Sequence, residues 1–146
     1  MQNENYTTSI ETAKSAGEVY KAINSVAKWW TENIEGSAQN AGDEFVLTFG
    51  STSMKLKVQE LVHNHKVVWL VTQSHKHFVT KTNEWDGTTI SFEIKDDNGK
   101  IILLFNHYGL INTLECYDIC CNGWNHYLFG SLKPLIETGM GNPDKR

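Results

Sequence analysis

The chain has 146 residues and a formal net charge of -4, enough for one domain that buries roughly 68–70% of its unfolded surface. Its charges are dispersed, without the basic stripe that favours nucleic acid or the polybasic segment that favours a membrane surface. Residues 1–11 are polar and acidic, unlike a signal peptide, and no run approaches the ~18 apolar residues of a membrane span. We therefore predict a cytoplasmic protein with neither nucleic acid nor a membrane as its partner.

The N-terminal part predicts a strand followed by two helices. Tyr6–Thr12 is rich in β-forming residues. The S-x-x-E pattern from Ser15 to Glu18 is a capping box, so a helix should begin at about Ser15. A second short helical piece is expected to carry Trp29 and Trp30. The inward face of the first helix is its apolar stripe, Val19, Ala22, Ile23 and Val26.

A polar connector at Glu35–Gly42 precedes a change of the hydrophobic period from about 3.6 to 2, which predicts antiparallel strands. The first two strands should form a hairpin around the turn-like segment Gly50–Thr52. One face of this hairpin is apolar, with Phe45, Leu47, Phe49, Met54, Leu56 and Val58.

Three more strands are predicted before the chain becomes helical again. Val67–Val71 is a continuous apolar run, typical of a central strand covered on both faces. Trp85–Thr88 is turn-like and leads into an alternating strand over residues 90–95. Asp96–Gly99 predicts a tight hairpin, because Asn-Gly accepts positive φ at little cost, and Ile101–Tyr108 is the returning strand.

A helix of about 25 residues is predicted from about Thr113, longer than an average globular helix. Pro134 removes the amide that would bond to Gly130, so a kink or an early end is expected there. The tail, Gly139–Arg146, is expected to be frayed. At 100° per residue one wide arc is apolar and rich in aromatics, with Tyr117, Cys120, Trp124, Tyr127, Leu128, Ser131 and Leu135.

The order of elements predicts a single α+β domain over residues 1–146, with helices on one face of an antiparallel sheet. Residues 75–82 are ambiguous in this pattern. The chain contains five Trp, five Tyr and six Phe, which must either fill the core or line a space, and this excess is the first indication of a pocket.

A set of packing and turn motifs runs along nearly the whole chain. They are Thr7 to Val26, Trp29-Trp30, Gly42-Asp43-Glu44-Phe45, Trp85 to Phe92, His107-Tyr108-Gly109-Leu110, Gly123-Trp124, Ser131-Leu132-Lys133 and Glu137-Thr138-Gly139. Together they resemble the activator-of-Hsp90-ATPase-like branch of the START/Bet v 1-like superfamily, also described as SRPBCC or polyketide cyclase-like domains. None of these motifs is a catalytic signature, so the resemblance is specific for the fold rather than for an activity.

The resemblance implies a helix-grip fold with the order β-α-α-β(5 or 6)-α. A curved antiparallel sheet of six or seven strands would surround a long C-terminal helix, with two short N-terminal helices and a ligand space between sheet and helix. The alternative is that the same apolar face is packed as ordinary core. The sequence leaves open whether a ligand cavity or a filled core lies between sheet and helix. The expected cavity wall consists of Trp30, Phe45, Leu47, Met54, Leu56, Ile90, Phe92, His107, Cys120, Trp124, Tyr127 and Leu128.

Polar groups near this surface allow two roles for His107, which follows an apolar run and precedes Gly109. A buried histidine is most often a hydrogen-bonded structural group, and the second role is a polar contact to a ligand. Tyr117 and Tyr127 could serve as polar handles in the same way.

Potential metal ligands occur in the sequence without a complete site. His75 and His77, and likewise His63 and His65, place two Cα atoms about 7 Å apart. A third ligand is not evident, so solvated strand ends and turns are favoured, and we predict no metal and no cofactor. Three cysteines lack Cys-x-x-Cys spacing and a cationic neighbour, which favours small helix residues over a zinc site or a nucleophile: Cys116, Cys120 and Cys121.

The leading hypothesis for function is a binding domain for a small apolar molecule such as a lipid, a polyketide or an aromatic compound. One alternative is a cyclase or hydratase-like enzyme that uses the same cavity, with His107 moving a proton. The other is an interaction module, because the resemblance implies stimulation of an Hsp90-type ATPase and a link to the stress response; we expect no such stimulation. The chain is expected to be a monomer or a homodimer.

Overall fold

The computed structural model describes residues 5–75, 83–111 and 114–145. The strands are β1 (Tyr6–Thr12), β2 (Ile34–Gly36), β3 (Glu44–Phe49), β4 (Thr52–Val62), β5 (Lys66–His75), β6 (Thr89–Asp97) and β7 (Lys100–Tyr108). The helices are α1 (Ala16–Asn24), α2 (Val26–Trp29), α3 (Tyr117–Tyr127) and α4 (Lys133–Thr138), and a π-helical turn at Leu128–Leu132 joins the last two. None of the helices in these ranges is long and apolar enough to cross a membrane.

The strands form one antiparallel sheet in the order β1-β7-β6-β5-β4-β3-β2. This confirms the α+β helix-grip prediction and the upper of the two predicted strand numbers. Two register shifts between β4 and β5 leave one residue unpaired in each strand, Thr72 in β5 and Gln59 in β4. Irregularities of this kind bend a strand and increase its twist, so the sheet is curved along β4 and β5.

The short edge strand β2 lies partly in the segment predicted to be only a connector. Gly36 has a φ of +93°, and a Cβ built there would lie 2.3 Å from the carbonyl oxygen of Glu44. Only glycine fits this approach of β2 to β3. Three residues of strand give too short a hydrophobic alternation to be recognised in the sequence.

The capping box and the tight turns form as the sequence predicts. The Ser15 hydroxyl accepts from the Glu18 amide, and the Glu18 carboxylate accepts from the Ser15 amide. Asn98 and Gly99 have φ values of 55° and 89°, as a two-residue hairpin between β6 and β7 requires. Local sequence chemistry alone is sufficient to specify these features.

The C-terminal helix is one continuous helical path from Tyr117 to Thr138, widened by the π-helical turn at Leu128–Leu132. The helix continues past Pro134 to Thr138, so it does not end early there, which was one of the two predicted outcomes. The π-helical turn precedes the proline and contains Gly130, whose carbonyl the missing amide would have bonded. Gly139, with a φ of 85°, ends the helix in the left-handed conformation typical of a C-cap.

The predicted fraying of Gly139–Arg146 was wrong for the described residues, which end at 145. The Asp144 amide donates to the Trp30 carbonyl at 3.0 Å, and the Asp144 carbonyl accepts from the Glu32 amide at 2.9 Å. Buried Ser131 adds a second anchor: its hydroxyl donates to the Trp29 carbonyl at 2.6 Å and accepts from the Asn142 amide at 2.7 Å. The bonds to Trp29, Trp30 and Glu32 join residues more than 100 positions apart, so no local pattern reveals them.

Replacing Ser131 by alanine tests this anchor. Ser131→Ala leaves the Trp29 carbonyl and the Asn142 amide without their buried partner, so we expect a loss of about 1–3 kcal/mol in the free energy of unfolding. Hydrogen exchange should also become faster at residues 141–145. Denaturant unfolding with peptide-resolved hydrogen exchange measures both effects. Ser51→Ala, in the exposed turn between β3 and β4, is the matched control, and equal behaviour of the two variants would contradict the anchor.

Candidate functional site

All five tryptophans of the chain form one contiguous aromatic cluster. Trp30 stacks between Trp29 and Trp69, with ring centroids 5.5 and 6.0 Å apart. Trp124 lies 4.9 Å from Trp30 and stacks on Trp85 at 5.8 Å with an angle of 5° between the rings. The rings come from the end of α2, from β5, from the turn before β6 and from α3, so the cluster connects the sheet with both helical regions.

The start of α3 is held by a side chain from the same turn that carries Trp85. The carboxylate of Glu84 accepts from the amides of Glu115 and Cys116 at 2.9 and 3.0 Å. A carboxylate at this position satisfies free amides and complements the positive end of the helix dipole. The turn before β6 therefore fixes both the beginning of α3 and the aromatic ring against which α3 packs.

A directed chain of hydrogen bonds runs from Trp124 through His107. The indole Nε1 of Trp124 donates to His107 Nδ1 at 3.0 Å. The Thr88 hydroxyl donates to the Trp85 carbonyl at 2.6 Å, so it accepts from His107 Nε2, which lies 2.8 Å away. These partners assign His107 as the neutral tautomer with its proton on Nε2. The imidazole is fully buried and both of its nitrogens are hydrogen-bonded within the protein, which is the arrangement expected of a structural histidine.

An apolar pocket of about 220 Å³ remains at the rim of the cluster, between α3 and the hairpin of β3 and β4. Gly123 lies in the middle of α3, and a Cβ built on it would meet no atom within 4 Å. Ile119 stands at the mouth with 56% of its surface exposed. The lining residues are Trp30, Phe49, Thr52, Met54, Trp85, Ile119, Cys120, Gly123, Trp124 and Tyr127.

The predicted cavity wall divides into two groups. Five of its residues line the pocket: Trp30, Met54, Cys120, Trp124 and Tyr127. The other seven are packed in the core with 0–1% of their surface exposed: Phe45, Leu47, Leu56, Ile90, Phe92, His107 and Leu128. Contact of any of the twelve with a ligand stays a prediction.

Sequence reasoning missed the other five lining residues, Phe49, Thr52, Trp85, Ile119 and Gly123. Helical spacing could have found two of them, because Ile119 and Gly123 are four residues apart at the edge of the apolar arc. Phe49 belongs to the predicted apolar face of its hairpin. Trp85 was assigned only to a turn, and nothing in that turn's sequence shows that its indole packs on α3.

Two titratable side chains of α3 near the pocket are held in their protonated forms. Burial, with a smaller contribution from the neighbouring Asp144, raises the pKa of Tyr127, whose hydroxyl donates to Asp144 at 2.9 Å. Burial also raises the pKa of the thiol of Cys121, which is next to the lining residue Cys120 but does not itself line the pocket. A protonated thiol is a poor nucleophile, so Cys121 is not held in its reactive form.

The described members of the histidine pairs, His63, His65 and His75, do not line this pocket. His75 is exposed at the end of β5, while His77 lies outside the described residues. His63 and His65 flank a turn at Asn64, and the His63 ring packs 5.3 Å from Tyr20. Among residues 5–75, 83–111 and 114–145, no three His, Cys, Asp or Glu side chains are grouped so that they could hold a metal ion.

Trp124→Phe tests how far the bond to His107 holds α3 in place. The variant keeps an aromatic ring but leaves His107 Nδ1 buried without a donor, a loss of about 1–3 kcal/mol in addition to that of the smaller ring. Trp30→Phe is the matched control, because this indole nitrogen donates no hydrogen bond to any residue of the described ranges. Chemical unfolding measures both, and an equal loss in the two variants would show that the bond contributes nothing.

The comparisons with known proteins agree with this fold. The family model described as Activator of Hsp90 ATPase homolog 1-like protein matches residues 15–137. A solution structure of the Aha1 dimer from Colwellia psychrerythraea is 27% identical, with a TM-score of 0.75, over 97% of this chain and 100% of that chain. Among curated proteins, no significant match was found.

More distant solved structures share the fold alone. The protein SSP2350 from Staphylococcus saprophyticus is 11% identical, with a TM-score of 0.69, over 95% of this chain and 96% of that one. BH1534 from Bacillus halodurans is 16% identical, with a TM-score of 0.64, over 88% of this chain and 94% of that one. Because the family model spans most of the sequence, the chain belongs to the Activator of Hsp90 ATPase homolog 1-like family.

Proposed function

We propose that this protein binds a small, planar, apolar molecule in the pocket between α3 and the hairpin of β3 and β4. The observation that carries the proposal is Gly123, which faces the pocket from the middle of a helix and leaves open space where any other side chain would stand. Glycine in a helix interior costs about 0.5–1 kcal/mol relative to alanine. A binding space at this position explains why a glycine stands there despite its lower helix propensity.

The size and lining of the pocket define the class of ligand. A volume of about 220 Å³ exceeds the ~150 Å³ in which an apolar cavity binds benzene, but it is smaller than the ~300–1,000 Å³ of drug-sized sites. One or two fused rings therefore fit. Indole rings at Trp30, Trp85 and Trp124 favour stacking with a flat ligand at ring distances of roughly 4.5–7 Å.

Apolar burial would supply most of the affinity. A ligand that buries about 150 Å² at roughly 25 cal/mol per Å² gains ~4 kcal/mol, which corresponds to a dissociation constant of about 1 mM. Stacking contributes about 0.5–1.5 kcal/mol per aromatic pair. We therefore expect binding in the range of tens of micromolar to millimolar.

The enzyme alternative has less support than ligand binding. The cyclase or hydratase-like alternative requires His107 to transfer a proton. A histidine that acts as a general base needs a free nitrogen within reach of the substrate. Both nitrogens of His107 have protein partners, Trp124 and Thr88. The hydroxyl of Tyr127 likewise donates to Asp144, which leaves neither of these candidates for acid-base chemistry available to a ligand.

Variants of Gly123 separate stability from binding. Gly123→Ala should raise the free energy of unfolding by about 0.5–1 kcal/mol, because alanine is the better helix former. The same variant should weaken binding of indole or naphthalene, and Gly123→Leu should abolish it by filling the pocket. Ligand-observed NMR with thermal unfolding measures the two effects on one sample.

Gly130→Ala is the matched control for this experiment. Gly130 is an exposed helical glycine outside the pocket, and its added Cβ would meet only the His126 ring at 3.8 Å. We expect unchanged binding in this variant. If wild-type protein binds neither probe at millimolar concentration, or Gly123→Leu binds as well as wild type, the proposed function is wrong.

A second candidate function, regulation of an Hsp90-type ATPase, is favoured by the Aha1 match, in which this chain covers all of the matched chain at 27% identity. An Hsp90 ATPase assay with and without the protein tests this proposal. A stimulated turnover rate supports it, and an unchanged rate contradicts it.

We also propose a homodimer for this chain, because the matched Aha1 protein is described as a dimer. Light scattering after size exclusion tests this second proposal. Twice the monomer mass supports it, and a monomeric mass contradicts it.

A further inference from the structure

A second groove lies between the N-terminal helices and α4 and shares no lining residue with the aromatic pocket. Its volume is about 420 Å³. The lining residues are Lys14, Glu18, Lys21, Ala22, Ser25, Lys28, Leu135, Ile136, Glu137, Thr138 and Gly139. The groove therefore combines a charged rim with an apolar floor.

Three lysines are among the residues that line this groove. Lys14, Lys21 and Lys28 follow one another at intervals of seven residues, all three are exposed, and all three line the groove. None of them has a carboxylate within 4.0 Å among residues 5–75, 83–111 and 114–145. In contrast, ion pairs form at Lys55, Lys66, Lys100 and Lys145.

The acidic residues of the groove leave its charge positive. The carboxylate of Glu18 is engaged in the capping box with the amide and hydroxyl of Ser15. Glu137, exposed near the end of α4, is the other carboxylate in the lining. The groove thus carries three cations against two carboxylates, in a protein whose overall formal charge is -4.

The floor provides apolar contacts between the two helices. Ala22 from α1 and Leu135 and Ile136 from α4 line it, each with 5–9% of its surface exposed. A partner with apolar side chains between its carboxylates would use both features of the groove.

We propose that this groove docks an acidic segment of another protein, with apolar side chains between its carboxylates. The three lysines come from the segment before α1, from α1 and from α2, so the positive charge of the groove is contributed by three separate parts of the chain. A concave shape suits a peptide better than the flat surface of a membrane or the width of a nucleic-acid duplex. The proposal does not depend on the ligand proposed for the aromatic pocket.

Binding of a synthetic peptide tests the proposal on the whole chain. The probe is a fluorescein-labelled extended peptide of about twelve residues with Glu at every third position and Val or Thr between. We expect saturable binding by fluorescence anisotropy at an ionic strength of about 0.05 M, weakening as salt is added. The same peptide with Gln in place of Glu should not bind.

Charge reversal locates the binding to the groove. Lys21→Glu combined with Lys28→Glu should weaken binding about tenfold or more, since each change replaces an attraction by a repulsion. Lys57→Glu with Lys95→Glu is the matched control: it makes the same change in net charge at two exposed strand lysines outside the groove. Lys21→Gln with Lys28→Gln should give an intermediate loss and covers the case in which the reversed variant does not fold.

Several outcomes would overturn the proposal. These are failure of the acidic peptide to saturate, equal weakening by the groove and control reversals, or binding that the groove lysines do not affect. Vesicles of phosphatidylserine and phosphatidylcholine form a separate arm. If they bind the protein through these lysines while the peptide does not, the surface recognises membranes and the peptide proposal is wrong.

Discussion

The position of the C-terminal helix depends on one buried contact, the hydrogen bond from the Trp124 indole to His107. His107 is in turn oriented by Thr88, so a chain of partners extends from α3 through β7 to the turn before β6. Buried polar groups cost free energy unless they are paired, and here each group's partner is the next in the chain. This network fixes which face of α3 meets the sheet, and thereby which residues remain to form a pocket.

Aromatic packing explains why the pocket lies at the rim rather than at the centre of the domain. The concave face of the sheet is covered by Phe45, Trp69 and Phe92, and the Trp69 ring lies 5.3 Å from Phe45 and 5.1 Å from Phe92. Large rings packed in this way leave little space between the sheet and the helix. The remaining volume is found where Gly123 interrupts the wall of side chains on α3.

The sequence predicts those parts of the fold that are specified locally. The capping box at Ser15, the Asn98-Gly99 turn and the alternating strands follow from propensity and periodicity, and the family resemblance arranges them into a helix grip. Anchoring of the C-terminal tail at Ser131 and the cap on α3 from Glu84 depend on contacts between residues distant in sequence. Which wall residues line a pocket and which fill the core depends on ring packing, so helical spacing cannot distinguish Trp124 from Leu128.

Intrinsic propensity contributes little to the stability of α3, and its packing must compensate. The helix contains Gly123, its N-cap residue Cys116 makes no side-chain cap, and a π-helical turn follows it directly. A short helix of this kind is marginal in water, so tertiary contacts must hold it. Among those contacts are the Glu84 carboxylate at the beginning of the helix and the Trp124 ring on the wall of the pocket. Hydrogen bonds from Tyr6 to Asn125 and from Tyr127 to Asp144 join the same helix to β1 and to the C-terminal tail. A molecule stacked on Trp124 would therefore contact one of the side chains that hold the helix against the sheet.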